Sequence, residues 1–451
     1  MSSRALRVVS LDVSTGAEWR LSSLSVLRIV IALLVIANLG RVPVLSTGDR
    51  EAPLMLNDVC MMLIVLLGAV AGVVRGTFRI DRLTTLAMLL SCIGLYSAIL
   101  SIPRYGLTPF QLLISLAYLA RWVTYFGLYV VVINLIRSAD VMKVWWALER
   151  AMMVFAAFGI FQSLFIPHFA QVVYPNSRII TDFDEQGHRL VSTVLEPNIA
   201  GAMIMLVLLV QIAQLVAGER LAYWKPSLMF SALVATLSRS SFLGLFVGVA
   251  IILAVRGVSR RLLRVLAVTA LLAAVAAPKA LQFAASYNKL TVDASALSRV
   301  AAWIRALRIF SDHPILGIGF NTYAFVQERY GYIRLGNGSY SVDGGLLFVA
   351  VMTGLTGLAV YLGMLSVVIA RCKGVWRSVV APPEWRALST GIAAATVALC
   401  VHSLFVNSLL TSFVMEPLNL LWALSFLMAR GIVPDGAPAP RVLPMAVAQS
   451  T

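Results

Sequence analysis

Residues 342–362 read VDGGLLFVAVMTGLTGLAVYL, and residues 299–323 just before them read RVAAWIRALRIFSDHPILGIGFNTY. The later stretch is an apolar run long enough to cross a bilayer, opened by one aspartate and two glycines. The earlier stretch gathers arginines, a tryptophan and a turn-forming His-Pro pair. Such a join predicts a polar working surface held at a membrane boundary. Inside lipid every unpaired backbone group costs several kcal/mol, so the spanning segment must be helical.

The same alternation extends through the chain. Its 451 residues are 60% hydrophobic and 12% charged, with a mean hydropathy of +0.89. A soluble protein of this length exposes far more charge, so the composition predicts an all-α polytopic membrane protein. Run lengths predict about twelve spans, near 24–44, 54–74, 83–102, 111–136, 143–166, 199–217, 226–238, 241–256, 262–284, 344–370, 386–408 and 411–429. The seventh is short, and SRSS at 238–241 marks its boundary with the eighth.

The formal charge of +16 raises the question of nucleic acid. Its distribution answers it: basic residues cluster in short loops between apolar runs, where topology selection puts them, and no basic helix with interleaved aromatics occurs. With the N-terminus inside, the inner connections hold Arg75, Arg79 and Arg82, then Arg137 and Lys143, Arg220 and Lys225, Arg256 to Arg264, and Arg371 to Arg386. Arg430 follows the last run. This pattern predicts cytoplasmic termini and an even number of spans. Residues 1–23 form a mixed-charge segment without the pattern of a cleavable signal, and the first run reads as an uncleaved anchor. Residues 24–430 make the membrane domain, and DGAPAPRVLP lies within a disordered tail over 431–451.

Two outer segments, about 167–198 and 285–343, are long, polar and rich in Tyr, Asn, Ser and Gly. Within the second, RVAAWIRALRIF reads as a short amphipathic helix with Val300, Trp303, Leu307 and Phe310 on one face. Ser298 is its candidate cap, and Asp312-His313-Pro314 ends it.

Several residues at the outer boundary carry candidate chemistry, each with a plainer alternative. Arg239 can snorkel as an anchor, or its planar fork can clamp a phosphate. Arg299 and Arg305, with Trp303 between them, form either a solvated helix face or anion ligands, and Arg189 could join them. Asp343 can cap the helix that follows, or serve as a general base whose pKa burial raises. Glu196-Pro197-Asn198 suits a helix start, and Glu196 and Asn198 are also candidates for a substrate cavity. Within the membrane, Asp58, Arg121, Glu149 and Arg150 are costly and predict a cavity or internal ion pairs. His188 and His402 stand isolated, His313 reads as a turn residue, and no metal-ligand spacing occurs. Cys60, Cys92, Cys372 and Cys400 lie in or beside apolar runs and read as packing residues. No phosphate-binding glycine loop, nucleophile elbow or zinc helix motif is present. With the polar residues outside, a substrate must arrive already activated, on a lipid.

Three segments resemble one family. HRLVSTVLEPNIAGAMI at 188–204, TLSRSSFLGLFVG at 236–248, and Arg299-x-x-x-Trp303 with HPILGIGFNTY and GLLFVAVMTGLTGL follow, in order, the motifs of the O-antigen ligase and polymerase superfamily. These are bacterial membrane glycosyltransferases that use undecaprenyl-diphosphate-linked glycans. The resemblance implies a GT-C-like helical enzyme with a large periplasmic loop over a lipid-facing cavity. It implies that Arg239 and Arg299 hold the donor diphosphate; the reading of the residues adds Arg189 and Arg305 as further diphosphate candidates and Trp303 and Arg121 as cavity candidates. The chain departs from the family where ligases carry His-Asn, eleven and ten residues before the glycine matched by Gly354; here stand Asp343 and Gly344.

The expectation is an inverting, metal-independent glycosyltransferase of polymerase or ligase type, without cofactor. Its acceptor would be a glycan or the lipid A-core, with a flippase and a chain-length regulator as further partners. The rival readings are a lipid-glycan transporter with about twelve helices and an inactive scaffold in an export complex. Carriers of that kind keep their longest loop inside, whereas the longest loop here lies outside.

Overall fold

Local signals set the helix boundaries before packing acts. The computed structural model describes residues 28, 31, 34, 38, 40–45, 54–74, 76, 78–173, 188–257, 294–332 and 342–432. A two-stranded antiparallel ribbon, β1 (Pro43–Leu45) with β2 (Leu54–Met55), precedes α1 (Leu56–Val74). Helix α2 (Arg82–Tyr105) starts where the Asp81 carboxylate accepts from the amides of Leu83 and Thr84, both at 3.1 Å. It stops at left-handed Gly106. Helix α3 (Pro109–Leu135) opens on a full capping box between Thr108 and Gln111, with Pro109 in the first turn where its missing N–H costs nothing.

The chain continues through α4 (Val141–Phe165), the short α5 (Phe169–Val173), α6 (Pro197–Val216), α7 (Trp224–Thr236) and α8 (Arg239–Arg256). After 258–293 come α9 (Ala294–Asp312), α10 (Tyr323–Arg329), α11 (Gly345–Arg377), α12 (Pro383–His402) and α13 (Ser412–Ile432). Helix α6 is the axis of the bundle, buried along its whole length. Helices α7, α8 and α12 pack on it, α11 joins α2 to α12, and α13 joins α3 to α6. Small residues permit these approaches. A Cβ on Gly244 would lie 2.8 Å from the carbonyl of Ala398, and one on Gly391 2.6 Å from the Cα of Val210.

Among the described residues, eight helices are long and apolar enough to cross a membrane. The expected seventh span is only the 13-residue α7. Helix α12 spans 20 residues, ending at His402 rather than 408. Helix α11 continues to Arg377, past the expected 370. The ninth run at 262–284, most of the first run, the segment 1–23 and all but two residues of the tail lie outside the described residues. The first run ends in β1 rather than in helix, and α13 reaches Ile432, beyond the expected domain end at 430.

Asp58, Arg121 and Glu149 are paired inside the bundle, whereas Arg150 is exposed on α4. Arg121 on α3 donates to Asp58 at 2.7 Å, and Tyr125 donates to the same carboxylate at 3.2 Å. Glu149 accepts from Lys225 at 2.7 Å and from Gln211 at 3.0 Å. Arg371 donates to both Asp81 and Tyr129.

The HPILGIG segment docks into a break in α11. Gly354 has φ 68° and ψ −170°, which interrupts the helix. The carbonyls of Val351 and Met352 accept from the amides of Ile318 and Gly319 at 3.0 and 2.9 Å. In return the amide of Leu355 donates to Pro314 at 2.7 Å. Helix α2 clamps the outside of this loop, with the Ser97 hydroxyl donating to Leu316 at 2.6 Å and the Ser101 hydroxyl donating to Ile318. The loop is thereby fixed at both edges, and α9 before it is held against α11.

Candidate functional site

Chain reversals converge at one end of the bundle. Leu195, at φ 56°, turns the chain sharply from a 3-10 turn (Ser192–Val194) into α6. Glu196 occupies the cap position of α6, yet its carboxylate makes no capping bond. It accepts instead from Arg41 at 3.0 Å, and both side chains are largely buried. The Arg41 guanidinium lies 5.7 Å from the centre of the Phe413 ring. The Arg41 amide donates to Thr193 at 3.0 Å, fastening the end of the first run to the turn before Glu196.

A second reversal lies alongside. Leu237, at φ 52°, separates α7 from α8, and Ser238 leads into Arg239 at the first position of α8. The hydroxyls of Ser238, Ser240 and Ser241 form a chain at 3.2 and 2.9 Å. A Cβ on Gly201 would meet the Ser241 oxygen at 2.5 Å, so that glycine lets the first turns of α6 and α8 touch. Arg189 ties the two together. Its Nε donates to the Thr236 carbonyl at 2.9 Å and its terminal nitrogen to the Asn198 side chain at 3.4 Å. Arg239 is exposed above this junction. Backbone strain at both leucines marks a geometry over-determined by its surroundings.

The third component is the start of α11. Its cap position is Gly344, at φ 134°, without a side-chain cap bond. Asp343 is therefore not the cap; its carboxylate faces Arg299 on α9, with 3.8 Å between Oδ2 and Nε. Trp303, one turn further along α9, donates its indole N–H to the Asp343 carbonyl. The Gly345 amide donates to Ser403 at 2.6 Å, which joins α11 to the end of α12. His402 is fully buried there, shares a hydrogen bond with Ser408 at 2.9 Å, and lies in the field of Arg299 beside the Asn198 backbone.

The electrostatics connect these parts. Burial raises the Asp343 carboxyl above its ordinary value, and Arg299 opposes the rise. Burial also raises Glu196; Arg41 and Arg189 pull it down, while the charge of Asp343 pushes it up. Two carboxyls thus share one patch with Arg41, Arg189 and Arg299. Three helix N-termini, those of α6, α8 and α11, point their partial positive charge at the same end. The patch can hold an anion and accept a proton. Among the described residues, no group of three His, Cys, Asp or Glu side chains comes together as a metal would require.

The sequence-predicted residues divide in two. Arg189, Glu196, Asn198, Arg299, Trp303 and Asp343 come together, with Arg239 at the adjoining helix start. Arg305 does not: it lies beside Tyr323 of α10. Arg121 does not either, being committed to Asp58 and set over the Tyr118 ring at 5.1 Å. Helix α9 begins five residues before Arg299, so position 298 lies inside it rather than at its cap. Its buried face is Ala306 and Ile309; Val300 and Leu307 point outward, 46% and 52% exposed. Of the expected apolar face, Trp303 and Phe310 do pack against the core, and Val300 and Leu307 do not. Two members escaped the sequence reading, Arg41 and His402. Arg41 was hidden inside the first apolar run, three residues before its expected end, although a lone arginine beside Gly40 at an outer boundary is itself a signal.

The fold and this site define a helical multi-pass membrane protein with a cationic, carboxylate-bearing patch at one end of its bundle. Residues 226–362 match the family model of O-antigen ligase. The match takes in the Arg239, Arg299 and Asp343 motifs, and over that segment it bears out the resemblance to the O-antigen ligase and polymerase superfamily. Over that segment the chain is similar to O-antigen ligase, and its long apolar helices suit a multi-pass membrane protein. No curated protein matches it.

Proposed function

We propose that this protein transfers a glycan from an undecaprenyl-diphosphate carrier to an acceptor saccharide hydroxyl at the outer face of the inner membrane. The observation that carries the reading is the meeting of Arg299 with Asp343, within the family match, beside Arg189, Arg239 and Arg41. Arg299, Arg239 and Arg189, with the helix N-termini of α6 and α8, neutralise the diphosphate as its bond to the anomeric carbon breaks. Asp343 accepts the proton of the attacking hydroxyl, and the oxygen joins the anomeric carbon from the face opposite the leaving diphosphate. The stereochemical outcome is inversion. The cationic groups take the place a metal fills in other phosphate-releasing sites, and no cofactor is required.

The test is transfer by the full-length protein in lipid nanodiscs, with a purified lipid-diphosphate glycan and its acceptor. Asp343→Asn, which keeps size but not basicity, is expected to lower kcat by about 10²–10⁴-fold. Arg299→Lys is expected to raise the apparent KM, because a point charge replaces a fork that can bind two oxygens. Full activity in Asp343→Asn would remove the aspartate from the reaction. Extension of the lipid-linked glycan itself identifies a polymerase, and transfer to a separate acceptor lipid identifies a ligase.

A further inference from the structure

A cleft of about 950 Å³ lies between α4 and the described residues of the first run. From α4 it takes the stripe Ala147, Ala151, Val154, Phe155 and Phe158, framed at its start by Lys143. From Lys143 to Phe158 the fifteen rises of 1.5 Å give about 22 Å, against a hydrocarbon core of about 30 Å. The walls are mostly apolar. Arg41, Thr193 and Leu195 close the end beside the candidate site, Arg28 and Lys143 surround the other, and Arg150 borders the slot about 10 Å along α4 from Lys143. Val154 and, further along α4, Leu164 and Phe165 are exposed on the bundle surface, so lipid can reach the cleft sideways.

Arg41 belongs to both places. It lines the cleft and pairs with Glu196 in the patch that holds Arg189 and Asp343. We infer that this cleft seats the isoprenoid chain of a polyprenyl diphosphate, with Arg41 at its mouth receiving the diphosphate. The inference rests on the proposed function for its choice of lipid, and adds where the chain lies and which residue hands the head group to Arg299. A long unbranched slot with one cation at the site end matches a chain bearing an anionic head. When the diphosphate arrives it competes with Glu196 for Arg41, which draws the phosphates towards the other arginines.

The experiment uses the full-length protein in nanodiscs and a glycan-free polyprenyl diphosphate carrying a photoreactive group in its tail. Mass spectrometry of the cross-linked peptides is expected to place the label on residues 147–158. Excess unlabelled polyprenyl diphosphate should displace it and phosphatidylglycerol should not. Ala151→Trp fills the slot and is expected to lower this labelling at least tenfold. The same variant should transfer glycan poorly from a full-length carrier but normally from a donor of two isoprene units, which shows that it has folded. Labelling confined to other helices, equal displacement by phosphatidylglycerol, or normal use of both donors by Ala151→Trp would overturn the inference. If the unaltered protein transfers glycan from neither donor while residues 147–158 are labelled and displaced as expected, the lipid site stands and the transferase reading falls.

Discussion

Two opposed influences act on Asp343, and together they make a testable pH dependence. Burial favours its neutral form and Arg299 favours the carboxylate, with burial prevailing. A general base works only when deprotonated, so kcat/KM falls as pH drops through the raised pKa. Arg299→Gln removes the opposing charge, lifts the pKa further and moves the acid limb to higher pH. Arg299→Lys keeps the charge and leaves the limb in place. A limb that stays fixed in Arg299→Gln, or moves towards acid, would separate the profile from Asp343. At this scale the sequence was informative about residue type and less so about direction. Arg299 and Arg305 are six positions apart, so 3.6 residues per turn puts them on different faces, and only Arg299 meets the aspartate. Whether Asp343 capped its helix or faced an arginine depended on Gly344 taking the cap, which φ decides and composition does not show.

At the scale of elements, the glycines of HPILGIG and MTGLTG form a joint. A Cβ on Gly354 would lie 2.0 Å from the carbonyl oxygen of Ile315, and Gly354 itself has φ 68°. Gly354→Ala therefore costs about 1–3 kcal/mol from the backbone conformation alone, and the collision with Ile315 adds to it. The expected outcome is a lower melting temperature in detergent and faster proteolysis between 313 and 323, with transfer activity lost as α9 loses its support. A variant as stable and protease-resistant as the parent would show that the loop does not depend on the break. Long apolar runs made the spans legible, since their length is imposed by the bilayer. The break between α7 and α8 was legible in SRSS at 238–241, and the structure puts it at Leu237 and Ser238; the left-handed turn at Leu237 was not legible. Tertiary contact at Gly201 and Arg189 sets that geometry.

For the whole molecule, the alternation of helices puts the candidate site and the most basic loops at opposite ends. Leu404, 48% exposed, adjoins the site, its carbonyl 3.4 Å from a Cβ built on Gly344. Val379, 91% exposed, occupies the short connection between α11 and α12, flanked by Arg371, Lys373, Arg377 and Arg386. Basic residues are retained on the cytoplasmic side, so the site is expected to face outward. Single cysteines at 404 and 379, in a background with Cys60, Cys92, Cys372 and Cys400 all replaced by alanine, test this with a membrane-impermeant maleimide. In intact spheroplasts the cysteine at 404 should react and the one at 379 should react only after permeabilisation. The reverse pattern would place the arginines and Asp343 in the cytoplasm, where nucleotide-activated sugars are available and a lipid-borne donor is no longer required. The orientation therefore bears on the chemistry as directly as the catalytic variants do. An outward site leaves the bilayer as the route for an activated glycan, and the cleft along α4 lies on that route.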